Sequence, residues 1–187
     1  MKRINIIIGR FQPFTKGHMK CVLEAWNKLK VPTMVVMIDT PDDKVDEKHP
    51  FPSSLTLPLY NTLFEDYKEI EGVILSKNAN IVTIGEQLYN MGYEICCWTC
   101  GTDRYDSYEK MASKYKDKAH LSDDFQLLEI KRSDEDISAT KVRECLLKND
   151  YNKFIKLMPQ FSLRSHLKID LYNTLREQIL KIYDVIY

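Results

Sequence analysis

Apolar residues follow two different periodicities along this chain, and their alternation predicts an α/β fold. Residues 4–8 and 33–38 are short, largely apolar and β-branched runs, which are typical of parallel strands covered on both faces. Between them, apolar residues recur at helical spacing from Gly17 until Pro32 closes the element. Strand, helix and strand in this order imply a right-handed parallel crossover. We therefore expect a Rossmann-like parallel sheet flanked by helices.

The rest of the chain extends this pattern. Strands are expected at one of two short β-rich pieces, 73–75 and 81–84, and then at 93–100 and 126–131. Helices are expected from Pro58 to Ile70, over 85–91 with Gly92 as the stop, over about 105–115, from Ser138 as the cap through 147, over 151–158 before Pro159, and from Ser165 to the end. These elements divide into a Rossmann-like domain over residues 1–150 and a C-terminal helical extension over 151–187.

Two parts of the chain leave alternatives open. The stretch from 40 to 53 is charged and interrupted by prolines, and loops of this length in a compact domain are usually functional or mobile. It is either a solvated connection or a lid over a binding site. The last helix carries a long apolar stripe, which we expect to cover the chain's own core; a subunit interface in a homo-oligomer is the alternative.

Composition narrows the class of protein without naming its activity. The chain has 187 residues, of which 44% are hydrophobic, and lysine plus arginine (27) equal aspartate plus glutamate (27). This balance gives no indication of nucleic acid or an acidic membrane surface as a partner. The N-terminal apolar run is too short for a signal peptide, and no stretch approaches the length of a membrane span. We therefore expect a cytoplasmic protein with no nucleic acid and no membrane as partner.

The five cysteines are expected to be reduced thiols, because their number is odd and they lack the spacing of a disulfide framework. Cys97 and Cys100 have the Cys-x-x-Cys spacing of redox and zinc sites. No second pair of cysteines or histidines accompanies them, and they lie within an apolar run. We therefore expect them to be buried in a strand and expect no metal site built from protein ligands.

The candidate chemistry begins where the first strand ends, in the ten residues from Gly9 to His18. A strand that ends in a glycine turn and leads into a helix directs backbone N–H groups and the positive helix end at one spot, which suits a phosphate. His18 falls in the first helical turn, so its ring would lie beside that phosphate. Arg10 and Lys16 add positive charge, and Gly17 permits close approach of a ligand to the backbone.

This segment resembles the signature of the nucleotidyltransferase superfamily that carries a His-x-Gly-His motif. Its lead-in, Gly9-Arg10-Phe11-Gln12-Pro13-Phe14, is most similar to that of adenylyltransferases of the nicotinamide mononucleotide type. Thr15 stands where the first histidine is commonest, although Thr-x-Gly-His also occurs in the superfamily, notably in phosphopantetheine adenylyltransferases. The resemblance implies catalytic roles for Thr15 and His18, and nucleotide binding by Gly9, Arg10, Phe11, Lys16 and Gly17.

A second motif lies about 120 residues further on, at the start of another predicted helix. Ser138 can cap this helix, with Ile137 and Val142 placed as a hydrophobic staple. A capped helix N-terminus, the hydroxyls of Ser138 and Thr140, and the guanidinium of Arg143 one turn further on form an anion site. The segment resembles the superfamily's Ile-Ser-x-Thr-x-x-Arg element, which holds the triphosphate tail.

A weaker signal follows the predicted strand at 93–100. Gly101-Thr102-Asp103-Arg104 is expected to form a glycine turn at the same sheet edge as Gly9, since both follow parallel strands. The superfamily often places a Gly-x-Asp turn beside the nucleotide or the second substrate. By that resemblance, Gly101, Asp103 and Arg104 are candidate nucleotide-binding residues.

The resemblance implies transfer of AMP from ATP to a phosphate-bearing acceptor such as nicotinamide mononucleotide, with release of pyrophosphate. His18 would stabilise the α-phosphate in the transition state, Thr15 would bond a phosphate oxygen, and Arg143, with the two hydroxyls of its motif, would hold the β- and γ-phosphates. Mg²⁺ is expected to come with the triphosphate, held by phosphate oxygens and water, because no carboxylate cluster stands out. The alternatives are a cytidylyltransferase, a phosphopantetheine-type or flavin adenylyltransferase, and a nucleotide-binding module without turnover.

Overall fold

The structure, a computed structural model, describes residues 1–131, 138–160 and 165–184 and contains a five-stranded parallel sheet. The strands are β1 (Lys2–Gly9), β2 (Thr33–Ile38), β3 (Ile70–Ser76), β4 (Tyr93–Gly101) and β5 (Leu121–Ile130). They are ordered β3-β2-β1-β4-β5, and every neighbouring pair is parallel. This confirms the predicted Rossmann-like α/β fold.

Helices connect the strands and continue beyond the last one. They are α1 (Lys16–Leu29), α2 (Ser53–Phe64), α3 (Ile81–Asn90), α4 (Thr102–Tyr115), α5 (Ala139–Leu147), α6 (Tyr151–Leu157) and α7 (Ser165–Asp184), with a short 3-10 turn at Asp42–Lys44. The predicted helices near the C-terminus are therefore present. In the residues that the structure describes, no helix is both long and apolar enough to cross a membrane.

The chain forms two compact units that do not follow its linear order. The first contains residues 1–9, 20–38 and 67–135, and thus the whole sheet; the second contains residues 10–19, 39–66 and 136–187. The predicted boundary at residue 150 stays a prediction.

The first unit buries a core between the sheet and its helices. Apolar side chains of β1, β2 and β4 pack with those of α3 and α4. A chain of polar side chains also crosses the sheet: the Asn5 amide donates to the Thr33 hydroxyl at 2.9 Å, and the Thr99 hydroxyl donates to Asn5 Oδ1 at 2.7 Å. All three residues are buried, so each hydrogen bond replaces one that water would make in the unfolded chain.

Close backbone packing in the first unit requires a glycine in α3. A Cβ atom added at Gly85 would lie 2.1 Å from the carbonyl oxygen of Ala119. Because the obstacle is backbone, it could not move aside as the end of a side chain could. Gly85 is therefore needed where α3 lies against the segment that precedes β5.

The second unit contains residues 10–18, here called the motif segment, together with α2, α5, α6 and α7. Helices α5, α6 and α7 contact one another, and the stripe of α7 buries Leu171, Leu175 and Ile179. This confirms that the stripe covers the chain's own core, while the homo-oligomer stays a prediction.

Helix α2 differs from its predicted bounds. It begins at Ser53 and ends at Phe64, whereas the sequence pattern placed its start near Pro58 and its end at Ile70. Pro58 lies inside the helix, where it lacks the N–H that would bond the Ser54 carbonyl. Both residues are exposed, so water can bond that carbonyl and the helix tolerates the proline.

The second β-rich piece, 81–84, forms the start of α3 and not a strand. The side chain of Asn80 accepts a hydrogen bond from Val82 N–H at 2.9 Å, which caps a helix at Ile81. The predicted start at residue 85 was therefore wrong. The predicted stop was right, because Gly92 follows the helix with a φ of 90°.

Two other boundaries near β4 and β5 also move. Helix α4 begins at Thr102, so the predicted glycine turn is in fact its first helical turn, with Gly101 as the capping position. Strand β5 begins at Leu121, five residues before its predicted start at 126. The predictions for Ile137 and for the chain end at 185–187 lie outside the described residues.

All five cysteines are free and buried. Burial raises the pKa of the Cys97 and Cys100 thiols to about 12, so both stay protonated near neutral pH. Both residues lie within β4, so the structure places the Cys-x-x-Cys pair in the packing of that strand.

Candidate functional site

His18 lies in the first turn of α1, with a ring orientation set by the residue before the helix. The Thr15 backbone N–H donates to His18 Nδ1 at 2.9 Å, and the Thr15 hydroxyl oxygen lies 3.2 Å from the same nitrogen. Because Nδ1 accepts a hydrogen bond, the neutral ring carries its proton on Nε2. His18 is half-buried and Thr15 is buried. Thr15 thus fixes the direction in which His18 Nε2 can donate, at the edge of the second unit's core.

Two phenylalanines of the motif segment surround the imidazole. The Phe11 ring meets it edge to face at 5.0 Å between centroids, and the Phe14 ring lies 5.2 Å away. The two phenylalanine rings are 5.1 Å apart, and both residues are buried. These contacts limit rotation of the imidazole and keep water from one side of it.

The backbone between these phenylalanines bonds to a buried tyrosine of α2. The Tyr60 hydroxyl donates to the Phe11 carbonyl at 2.9 Å and accepts from the Phe14 N–H at 3.0 Å. Tyr60 is 1% exposed, and burial raises the pKa of its hydroxyl above the usual range, so the group stays neutral. One side chain thus satisfies two backbone groups of the motif segment.

Gln12 joins the motif segment to the 40–53 loop. Its side-chain amide donates to the Phe51 carbonyl at 2.8 Å, and its Oε1 accepts from the Phe51 N–H at 2.9 Å. The loop closes at its base, where Thr40 N–H donates to the Ser53 hydroxyl at 2.8 Å and Ser53 N–H donates to the Thr40 carbonyl at 2.9 Å. The two ends of the loop are therefore fixed against the segment that carries His18.

Arg143 brings the second motif to the first. Its Nη1 donates to the Gln12 carbonyl at 2.8 Å, and its Nη2 donates to the Thr140 hydroxyl at 3.2 Å. The guanidinium is partly buried, and burial lowers the pKa of Arg143. Ser138 caps α5 by accepting from Lys141 N–H at 3.2 Å, as predicted. Two residues about 130 positions apart in sequence, Arg143 and Gln12, are thus in direct contact.

The other predicted residues of this unit lie around the same segment. Arg10 is exposed, and its Nη1 lies 3.4 Å from the Asp39 carbonyl oxygen. Gly17 is half-buried in the first turn of α1. Lys16 is exposed and borders a pocket of about 460 Å³ that Lys156 and Lys168 also line.

That pocket combines positive charge with apolar walls. Its described lining has three lysines and no carboxylate, and its walls include the buried side chains of Phe154, Met158 and Leu171. Such a pocket favours an anion that carries an apolar group.

Four predicted residues belong to the first unit. Gly9 ends β1 and Gly101 ends β4; since these strands are parallel neighbours, both lie at the same sheet edge, as predicted. Asp103 and Arg104 are exposed in the first turn of α4, with 3.9 Å between Asp103 Oδ2 and Arg104 Nε. This turn presents charge at the carboxyl edge of the sheet.

A family model for cytidylyltransferase-like proteins matches residues 6–145, which include His18 and Arg143. The chain belongs to this family. No curated protein matches the cytidylyltransferase-like chain at a significant level.

Solved structures share the fold of this cytidylyltransferase-like protein. A nicotinic acid mononucleotide adenylyltransferase from Plasmodium falciparum, complexed with NaAD, is 16% identical with a TM-score of 0.59, covering 95% of this chain and 98% of that one. A bifunctional NMN adenylyltransferase/ADP ribose pyrophosphatase from Francisella tularensis is 16% identical with a TM-score of 0.61, covering 100% of this chain and 55% of that one. At these identities the likeness shows the fold.

Among the described residues of this cytidylyltransferase-like protein, protein side chains alone form no metal centre. Across 1–131, 138–160 and 165–184, no three histidine, cysteine or acidic side chains cluster in a way that could hold a metal ion.

Sequence patterns had given no role to Gln12 or Tyr60. Tyr60 fits the apolar face of a helix, and its hydroxyl carries no pattern that points to Phe11 and Phe14. Gln12 offered a weak signal, since it is the only side-chain amide among residues 9–18. Both act on backbone groups, which is a role that residue spacing does not encode.

Proposed function

We propose that this chain transfers AMP from ATP to a phosphate-bearing acceptor such as nicotinamide mononucleotide and releases pyrophosphate. The observation that carries the proposal is the 2.8 Å bond from Arg143 to Gln12, which joins the predicted triphosphate element to the segment that carries His18. The family assignment supports the reaction class.

The reaction joins an acceptor phosphate oxygen to the α-phosphorus of ATP while the bond from that phosphorus to the bridging oxygen breaks. Pyrophosphate leaves with the electron pair. His18 would donate from Nε2 to the α-phosphate as negative charge builds, because Thr15 holds Nδ1 as an acceptor. No protein nucleophile is required, which agrees with the burial of all five cysteines.

Arg143 would orient the leaving group. Its Nη1 and Nη2 each make one hydrogen bond in this structure, and a guanidinium has five N–H donors in all. The donors beyond those two could bond the β- and γ-phosphates, together with Ser138 and Thr140. Mg²⁺ would come with ATP and neutralise part of the phosphate charge.

The acceptor is proposed from two features. The Plasmodium protein with this fold acts on nicotinic acid mononucleotide, and the pocket beside Lys16 suits a phosphate that carries an apolar or aromatic group. A pyridine mononucleotide has both parts.

Pyrophosphate release tests the proposal directly. ATP and CTP would each be supplied with Mg²⁺ and one of five acceptors: nicotinamide mononucleotide, nicotinic acid mononucleotide, phosphopantetheine, flavin mononucleotide or phosphocholine. We expect release with ATP and a pyridine mononucleotide, and a dinucleotide product by mass spectrometry. Preference for CTP with phosphocholine would instead make the chain a cytidylyltransferase, and ATP binding without release for any acceptor would make it a silent module.

A further inference from the structure

The imidazole of His18 is held by a buried set of rings in the second unit. Its two ring neighbours, Phe11 and Phe14, approach to 5.0 and 5.2 Å between centroids. The direction of its donor therefore depends on where the backbone places these two residues. Phe11 has a φ of 51°, a left-handed conformation that a non-glycine residue adopts only when its surroundings hold it there.

Tyr60 supplies that support. Its hydroxyl bonds the carbonyl of Phe11 at 2.9 Å and the N–H of Phe14 at 3.0 Å, and so fixes both sides of the bend. Its ring stacks on Phe64 at 5.6 Å, and Phe64 meets Phe14 edge to face at 4.8 Å. The hydroxyl is thus held in place by packing on its own helix.

We propose that Tyr60 is a positioning residue for His18: its two backbone hydrogen bonds set the rings that hold the imidazole, and thereby aim Nε2 at the reacting phosphate. The expected effect of Tyr60 on turnover rests on the proposed function. Its effect on the imidazole can be measured without any substrate. The hydroxyl of Tyr60 bonds backbone groups of Phe11 and Phe14, so it acts on the imidazole through these two residues.

The test is Tyr60→Phe, which removes one oxygen and keeps the stack on Phe64. We expect kcat to fall about 10- to 100-fold with KM changed less than about threefold, because a small misplacement of a catalytic group affects the transition state more than substrate binding. Tyr172→Phe is the matched control. Tyr172 is also buried and donates one hydroxyl hydrogen bond, to Asn149 at 2.8 Å, but it belongs to α7.

A second readout follows the histidine itself. With ¹⁵N-labelled histidine, side-chain NMR should show a single Nε2–H tautomer for His18 in the wild type and after Tyr172→Phe. After Tyr60→Phe we expect the signal to broaden or to report both tautomers. The other three histidines serve as internal references, and His18→Gln assigns the signal.

The outcomes separate the two proposals. A wild-type His18 spectrum in folded Tyr60→Phe, or an equal loss of kcat after Tyr172→Phe, would overturn the role of Tyr60. If the wild type releases no pyrophosphate, the proposed function is wrong. The NMR comparison would still show whether Tyr60 positions the His18 ring. Should Tyr60→Phe not fold, 4-fluorophenylalanine at position 60 fills the same volume without donating to Phe11; unchanged spectra and kcat in that variant would equally refute the inference.

Discussion

The sheet of the first unit and the motif segment of the second are stabilised by different kinds of contact. In the sheet, neighbouring strands satisfy the backbone, and the buried polar side chains bond one another, as Asn5 does with Thr33 and Thr99. In the motif segment, side chains satisfy the backbone: Gln12 bonds Phe51, and Tyr60 bonds the bend at residues 11–14. The structure of the sheet follows from the periodicity of its apolar residues. The conformation of the motif segment depends on single polar side chains from distant positions in the sequence.

This difference predicts how each region fails. Changes in the sheet should lower stability and leave the turnover of the folded fraction unchanged. Changes around the motif segment should alter turnover or substrate binding at a small cost in stability. The following substitutions test that contrast, from the largest expected effect to the smallest.

Replacing His18 should have the largest effect. In His18→Ala we expect kcat to fall about 10²- to 10⁴-fold, since a positioned proton donor contributes about that much. The melting temperature should change little because the ring is only half-buried. Steady-state pyrophosphate release and a thermal melt measure the two effects. His120→Asn, which removes an imidazole from the first unit, should keep the wild-type rate; normal turnover in His18→Ala would remove the histidine from the mechanism.

Gly85→Ala should have the largest effect on the sheet unit. The new Cβ would meet the Ala119 carbonyl oxygen at 2.1 Å, so α3 must shift, at a cost of about 3 kcal/mol in the free energy of unfolding. Urea denaturation measures the loss. Gly72→Ala is the matched control, because its Cβ would lie 3.7 Å from Met34 Sδ, an ordinary contact. Equal stability of the two variants would contradict the close approach.

Arg143→Ala should weaken binding of the nucleoside triphosphate. A hydrogen bond from a charged group contributes about 1.5 to 3 kcal/mol, so we expect the KM for ATP to rise about 10- to 100-fold. Arg176→Ala removes an arginine of the same unit that donates to the Leu146 carbonyl at 3.1 Å, and not to Gln12. It should leave the KM unchanged. If both variants bind ATP as the wild type does, Arg143 stabilises the motif segment through Gln12 and does not bind the triphosphate.

The features that could be predicted from the sequence follow the same division between the two regions. The strands at residues 33–38 and 93–100 could be predicted almost to the residue, because buried apolar runs have few alternatives. The start of α2 could not, since proline favours the first turn of a helix and is tolerated further inside only where the lost hydrogen bond is exposed to water, as at Pro58. The two motifs were found by resemblance, and the contact of Arg143 with Gln12 joins them. The hydrogen bonds from Tyr60 to the motif segment could not be predicted, because a hydroxyl that bonds backbone groups produces no periodic pattern in the sequence.

Thr99→Val should have a moderate effect on stability. It removes the hydroxyl that donates to Asn5 Oδ1 and leaves a buried acceptor without that partner, at a cost of about 1 to 2 kcal/mol in the free energy of unfolding. The kcat of the folded protein should not change. Thr83→Val, an exposed position on α3, controls for the substitution itself. A fall in kcat with unchanged stability would reverse the contrast between the two regions.

Lys168→Gln should have the smallest effect, and it tests whether the pocket beside Lys16 binds an anionic substrate. Lys168 is half-buried, and losing one of the three lysines around the pocket should raise the KM of that substrate by about fivefold, since a charge that solvent partly reaches contributes about 1 kcal/mol. Salt screens such an interaction, so the difference from the wild type should shrink as the KCl concentration rises from 20 to 500 mM, as the Debye length predicts. Lys118→Gln changes the net charge equally at an exposed position of the first unit and should leave the KM unchanged. A KM that rises equally in both variants would show that net charge, and not the pocket, attracts the substrate.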